Sequence, residues 1–219
     1  MSSALFIVIG TIEVFAVLTT ALRIFRFKVS WYLRDILIMS VVLALSSYLI
    51  RIVLAIPYLD MPIAILAVIV FMRFAIKVKP HYAVILSLSG YASYISVQSI
   101  VYFLLSLILD FDSALLTQQQ GTYLYLLQLT TAGTTMLLSF LLYKLGLGFT
   151  FIIHPPHSFN IKINKKKEGK VFYATVATFL ILSGALGFLL SGYGWVAYII
   201  VALNFIALYI LLHRRSEQE

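Results

Sequence analysis

The chain has 219 residues, 62% hydrophobic and 11% charged, with 16 Lys and Arg against 8 Asp and Glu and a mean hydropathy of +1.03. Soluble globular domains carry roughly a quarter charged residues, so this composition excludes that class and predicts an integral membrane protein with one transmembrane domain, residues 1–219. The lack of cysteine excludes a disulfide framework, a thiolate nucleophile and a Cys-ligated metal, and the net charge of +8 is read as loop topology rather than nucleic-acid binding.

A helix crosses the hydrocarbon core with about 20 apolar residues. Polar and turn-forming interruptions divide the chain into seven predicted spans: Ala4 to Leu22, Ile36 to Tyr58, Pro62 to Ile76, Tyr82 to Leu109, Thr122 to Tyr143, Val171 to Ser191 and Trp195 to Leu212. The third is short and extends through Arg73 to Lys77 if those side chains snorkel. The fourth is long and holds Gly90, an expected place for a tilt or kink. Pro57 and Pro62 bracket Asp60 in a predicted tight turn, and Ser191 to Gly194 makes another.

Cytoplasmic loops are enriched in Lys and Arg. With seven spans, one side receives Arg23, Arg26, Lys28, Arg34, Arg73, Lys77, Lys79, Lys144, Lys162, Lys165, Lys166, Lys167, Lys170, Arg214 and Arg215, which is 15 of the 16 basic residues. The other side receives Asp60, Asp110 and Asp112. The bias predicts an all-α, polytopic membrane helix bundle with its N-terminus outside and its C-terminus cytoplasmic. The first span is expected to be retained rather than cleaved as a signal, because its positive charges follow the apolar stretch and Glu13 lies at its centre.

Arg51 is the basic residue that topology leaves unexplained. Counted from the outer end of each span, Glu13 sits near the midplane and Arg51 about 6 Å further out, so the two can meet if spans one and two pack together. Such a contact is either a structural ion pair or a polar centre for a ligand, and an arginine near the outer face can also snorkel to water. Gln98, Gln128, Thr130, Thr131 and Asn204 lie in the outer halves of later spans, where amides and hydroxyls act as interhelical glue or as ligand contacts. Ser89, Ala92, Ser96 and Ser99 share one face of span four and predict close packing, as do Ser183 and Gly187 in span six.

The loop from Asp110 to Tyr123 is the largest outer segment, and reads either as a cap over a binding site or as a plain connection. The segment from Phe149 to Lys170 holds Lys165 to Lys167, which attract anionic headgroups at about 1 kcal/mol per charge. His154 and His157 lack a third ligand, so no metal or other cofactor is expected. The chain also lacks an HExxH helix, a Gly-x-Ser-x-Gly elbow and a phosphate-binding Gly-rich loop. Rhodopsins share the predicted topology, but they need a lysine in the last span, where this chain has Asn204. No enzymatic activity is expected.

The run RIFRFKVSWYLRDILIMSVVLALSSYLIR, followed by a short outer turn and a span ending in MRFAIKVKPHYAVILSLSGY, resembles the membrane sensor domains of accessory-gene-regulator-type peptide-sensing histidine kinases of Gram-positive bacteria. The similarity covers most of the chain and is one of topology, length and charge pattern. It implies recognition of an extracellular peptide, often cyclic, and signalling through the last span to a dimeric cytoplasmic kinase. After Leu212 only HRRSEQE remains, without a phosphoacceptor helix or ATP-binding domain, so the expectation is an isolated sensor module or a relative that acts through a partner.

The resulting expectation is a non-enzymatic, multi-pass cell-membrane receptor, with Glu13, Arg51, Asp60, Gln98, Gln128 and Asn204 as candidate ligand contacts. Its expected partners are the lipid bilayer, an extracellular peptide, a cytoplasmic kinase or response regulator, and a second copy in a homodimer, with no nucleic acid. The alternative is a small permease or the membrane subunit of a transporter, with Glu13, Arg51 and Asn204 lining a path at mid-membrane.

Overall fold

A computed structural model describes residues 3–109, 121–150, 152, 169, 172–181 and 184, together with 199–201, 203–204, 206–207 and 209–210. All regular structure among these residues is helical. Five elements form the described bundle: α1 (Ser3–Ile24), α2 (Leu33–Tyr48), α3 (Asp60–Phe74), α4 (Pro80–Leu109) and α5 (Thr122–Lys144). A five-residue π-helix, Leu49–Val53, continues α2, and 3-10 turns cover Val29–Trp31 and Pro57–Leu59. Counting α2 with its π turn and α3 with the preceding 3-10 turn, all five helices are long and apolar enough to cross a membrane. A shorter apolar helix, α6, runs Phe172–Ile181. The remainder of predicted spans six and seven, Ser183 with Gly187, the loop residues Asp110 and Asp112, and the Lys165 to Lys167 cluster with His154 and His157 lie wholly or largely outside the described residues.

Two local expectations are corrected. The second span does not run on to Tyr58: the π turn ends at Val53 and Ala55 takes φ +55°, a conformation costly for a residue with a Cβ, which breaks the helix. Asp60 is not at the tip of a tight turn but is the first residue of α3, where a carboxylate meets the positive end of the helix dipole. α4 continues through Gly90 as one helix.

The apolar core gathers at the end of the bundle where α1 and α3 finish and α2 and α4 begin. Phe25, Phe27, Ile36, Met72, Ile76, Val78 and Leu86 are buried there together with Phe149 and Ile152. Basic residues alternate with these side chains, so Arg26 and Lys77 both adopt positive φ, at 58° and 62°, while their apolar neighbours turn inward. The bonds from Phe27 N–H to the Leu22 carbonyl, 3.0 Å, and from Val78 N–H to the Met72 carbonyl, 3.3 Å, close the two helix ends. On α4 the predicted small face is buried as read: Ser89, Ala92, Ser96 and Ser99 are all at most 4% exposed. Large apolar side chains such as Leu49, Leu66, Val70 and Phe74 project outward, a surface suited to hydrocarbon rather than water.

The chain leaving α5 is fastened to the end of α1. Phe149 N–H donates to the Ile24 carbonyl at 2.8 Å, and Arg26 donates to the Gly146 carbonyl. Gly148 makes this approach with φ +148°, and a Cβ there would lie 2.8 Å from the Ile24 carbonyl oxygen. Because that neighbour is backbone and already bonded, Gly148→Ala is expected to cost about 1–3 kcal/mol through strain and overpacking. Unfolding in mixed micelles measures it, and an unchanged midpoint would show that the fastening carries no stability.

Candidate functional site

The opposite end of the bundle is polar, and its groups come from five elements. Glu13 lies in the middle of α1 and accepts a hydrogen bond from Gln128 Nε2 of α5 at 3.0 Å. The Tyr94 side chain of α4, only 3% exposed, brings its hydroxyl beside the same carboxylate. Arg51, on the π turn after α2, stands 4.0 Å from Asp60 Oδ2 at the start of α3. Ser47, one helical turn before Arg51, donates to that same oxygen at 2.8 Å. The Arg51 guanidinium also lies over the Phe6 ring of α1, 5.7 Å from its centroid, an arrangement favourable for a cation on an aromatic face. Tyr48 closes the rim by donating to Ser3 Oγ at 2.9 Å.

The direct Glu13–Arg51 contact allowed by the sequence is therefore replaced by two separate pairs. Arg51 takes Asp60, because the π turn and the break at Ala55 fold the chain back until the start of α3 faces α2. Glu13 takes the amide of Gln128, because α1 packs along α5 in parallel: Glu13 meets Gln128, Ala16 packs with Ala132, and Arg23 Nη1 donates to Ser139 Oγ at 3.3 Å.

The other candidates fall outside this cluster. Gln98 stands one turn along α4 from Tyr94, partly buried, and makes no hydrogen bond among the described residues. Asn204 donates its amide to the Thr178 carbonyl of α6 at 2.9 Å, so it ties two helices together. Thr130 bonds to the carbonyls of Leu126 and Leu127 in its own helix. Ser47, Tyr48 and Tyr94 were missed by the sequence reading. Ser47 was recoverable, since it lies four residues before Arg51 and hence on the same helical face. Tyr94 was not, because nothing local distinguishes it from other tyrosines packed in the bundle.

Chemically the cluster offers two carboxylates, one guanidinium, an amide and several hydroxyls, an arrangement for binding polar groups. The side chains of Arg51 and Asp60 are 24% and 20% exposed, so the pair is partly screened, and at 4.0 Å it is at the loose limit of an ion pair. A double-mutant cycle on Arg51→Ala and Asp60→Ala is expected to give a coupling of about 0.5 kcal/mol. The corresponding cycle on Arg51 and Glu13 is expected to give less; a larger coupling there than between Arg51 and Asp60 would reverse the pairing. No family model, curated protein or solved structure matches the chain.

Proposed function

We propose that this chain is a non-enzymatic membrane receptor module of seven spans. Its N-terminus and the Arg51–Asp60 end face outward, and its C-terminus is cytoplasmic. The sidedness rests on the 15 basic residues assigned to the opposite loops. The observation that carries the binding role is the state of Arg51. A guanidinium has five N–H donors, and this one, on a partly exposed π turn, has among the described residues a loose carboxylate and an aromatic face as partners. An incoming ligand carboxylate or backbone carbonyl competes for it, and π turns inside helices occur frequently at functional sites.

The ligand class that fits is an extracellular peptide, in keeping with the resemblance to accessory-gene-regulator-type sensors. Displacing Asp60 from Arg51 frees the start of α3 from the end of α2, giving two arrangements with different ligand affinity, the requirement for a ligand to shift an equilibrium. A cytoplasmic kinase or response regulator, with the module as a homodimer, then reads the state of the bundle.

Purified protein in nanodiscs, challenged with peptide fractions of conditioned medium, is expected to rise in thermal midpoint with one active fraction. Arg51→Ala is expected to lose that response. No shift from any fraction would remove the receptor reading, and a reporter fused after Glu219 that reads extracytoplasmic would remove the topology. The second reading, a small permease or transporter subunit, is favoured by Glu13, an acid held inside a span. The capture of Asn204 by Thr178 takes one of its supposed path residues away. Solute uptake by proteoliposomes without a cytoplasmic partner would decide for it.

A further inference from the structure

A line of polar side chains continues from Glu13 towards the other end of α1. On α1, Glu13, Ala16, Thr20 and Arg23 recur at helical spacing on one face. On α5 the matching face carries Gln128, Thr131, Ala132, Thr135 and Ser139. The two contacts at 3.0 and 3.3 Å, Gln128 with Glu13 and Arg23 with Ser139, bracket the line and set its register, which places Thr20 opposite Thr135. Tyr94 of α4 packs into the same seam with Ala16, Val17 and Ala132.

The hydroxyls in this seam are unusual. Thr20 is 4% exposed, Thr131 0% and Thr135 1%, and none of these three hydroxyls has a hydrogen-bond partner among the described residues, while the buried Tyr94 hydroxyl faces the Glu13 carboxylate. An easy partner was at hand. Thr130 and Thr134, exposed on the other face of α5, bond to the carbonyls of Leu126 and Thr130 at 2.7 and 2.8 Å, and Thr19 does the same on α1. Thr131, Thr135 and Thr20 leave that option unused. Buried polar atoms are almost always satisfied by protein or by ordered water, and a buried water needs two to four polar partners.

We propose that the seam between α1, α4 and α5 binds a file of water molecules running from Glu13 to the Ser139–Arg23 contact. From Glu13 to Arg23 the helix rises through ten steps, about 15 Å. That length takes about five oxygens at ordinary hydrogen-bond spacing, the three threonine hydroxyls and about two waters between them. The carboxylate begins the file beside the Tyr94 hydroxyl, the three threonine hydroxyls each donate one bond and accept others along it, and the guanidinium ends it. The file connects Glu13 by hydrogen bonds to the basic end of the bundle, so a proton on that carboxylate is not isolated in hydrocarbon.

Synchrotron X-ray footprinting tests this in intact protein in nanodiscs, because radicals born on bound water label the nearest side chains even where bulk solvent does not reach. Tyr94 is expected to be labelled several-fold faster than Tyr102, which is 7% exposed but packed in a different cluster with Ala92 and Ile95. The variant Thr131→Val with Thr135→Val is expected to bring Tyr94 down to the Tyr102 rate. Thr131→Ser with Thr135→Ser, which keeps both hydroxyls, is expected to retain the labelling. Tyr94 labelled no faster than Tyr102 in the unaltered protein overturns the file, as does full labelling in the valine variant. A valine variant that has lost its fold reveals itself by labelling of Tyr102, and Thr20→Val then serves in its place.

Discussion

Gly90→Leu is expected to prevent α1 from seating on α4, yielding protein that aggregates or unfolds at much lower denaturant in mixed micelles. A Cβ at Gly90 would lie 2.6 Å from Ala21 Cβ, 3.2 Å from Ala21 Cα and 3.2 Å from the Val17 carbonyl oxygen. None of these is the free end of a flexible side chain, so the helices must separate. Gly90→Ala sets two effects against each other. Alanine gains about 1 kcal/mol in helix propensity, whereas forcing a methyl into a close-packed helix crossing costs typically 1–3 kcal/mol. With the obstacle at 2.6 Å the second wins, and Gly90→Ala is expected to be net destabilising. Gly133 on α5 is the control. Its added Cβ meets no described atom within 4 Å, so Gly133→Ala is expected to be neutral or stabilising. Equal effects at the two sites would show that α1 and α4 do not approach at Gly90.

Gln128→Leu is expected to be the most destabilising of the polar substitutions, at about 2–3 kcal/mol, because it strips the Glu13 carboxylate of its amide donor. Neutral interhelical hydrogen bonds in membrane proteins average well below this, about 0.6 kcal/mol. Here the acceptor is a carboxylate, and charge-assisted bonds are roughly twice as strong as neutral ones. Glu13→Leu leaves only a neutral amide unsatisfied and is expected to cost about 1–2 kcal/mol. The double variant Glu13→Leu with Gln128→Leu removes both polar groups together, so it is expected to be far less destabilised than the sum of the singles. Chemical unfolding of the four proteins in one detergent measures the cycle, and additive costs would mean that the two side chains do not interact. If the double variant is stable yet unresponsive to ligand, the pair serves binding more than folding.

How much of this was legible depends on the range over which each property is set. The helices at Ser3–Ile24, Pro80–Leu109 and Thr122–Lys144 begin and end within two residues of the apolar runs that predict them, because hydropathy, charge and helix ends are local. The segment after Tyr48 was not legible. It reads as an apolar helix running on to Tyr58, but a π turn and a left-handed Ala55 end it earlier, and Pro57, two residues beyond Ala55, is the one local sign of that stop. The small face of α4 was legible from spacing alone, since i, i+3 and i+4 positions share a face whatever they pack against.

The candidate site divides in the same way. The sequence by itself determined that Glu13 and Arg51 are charges placed within apolar stretches, since a count of apolar residues on either side is enough to show it. It also determined which loops collect the basic residues. Only the tertiary structure decided their partners: Gln128 for Glu13, and Asp60 with Ser47 for Arg51. Which charge meets which depends on helix rotation, on the parallel register of α1 with α5, and on a local break that swings α3 against α2. These are products of packing over more than a hundred residues of separation in the first pair, and no local pattern encodes them.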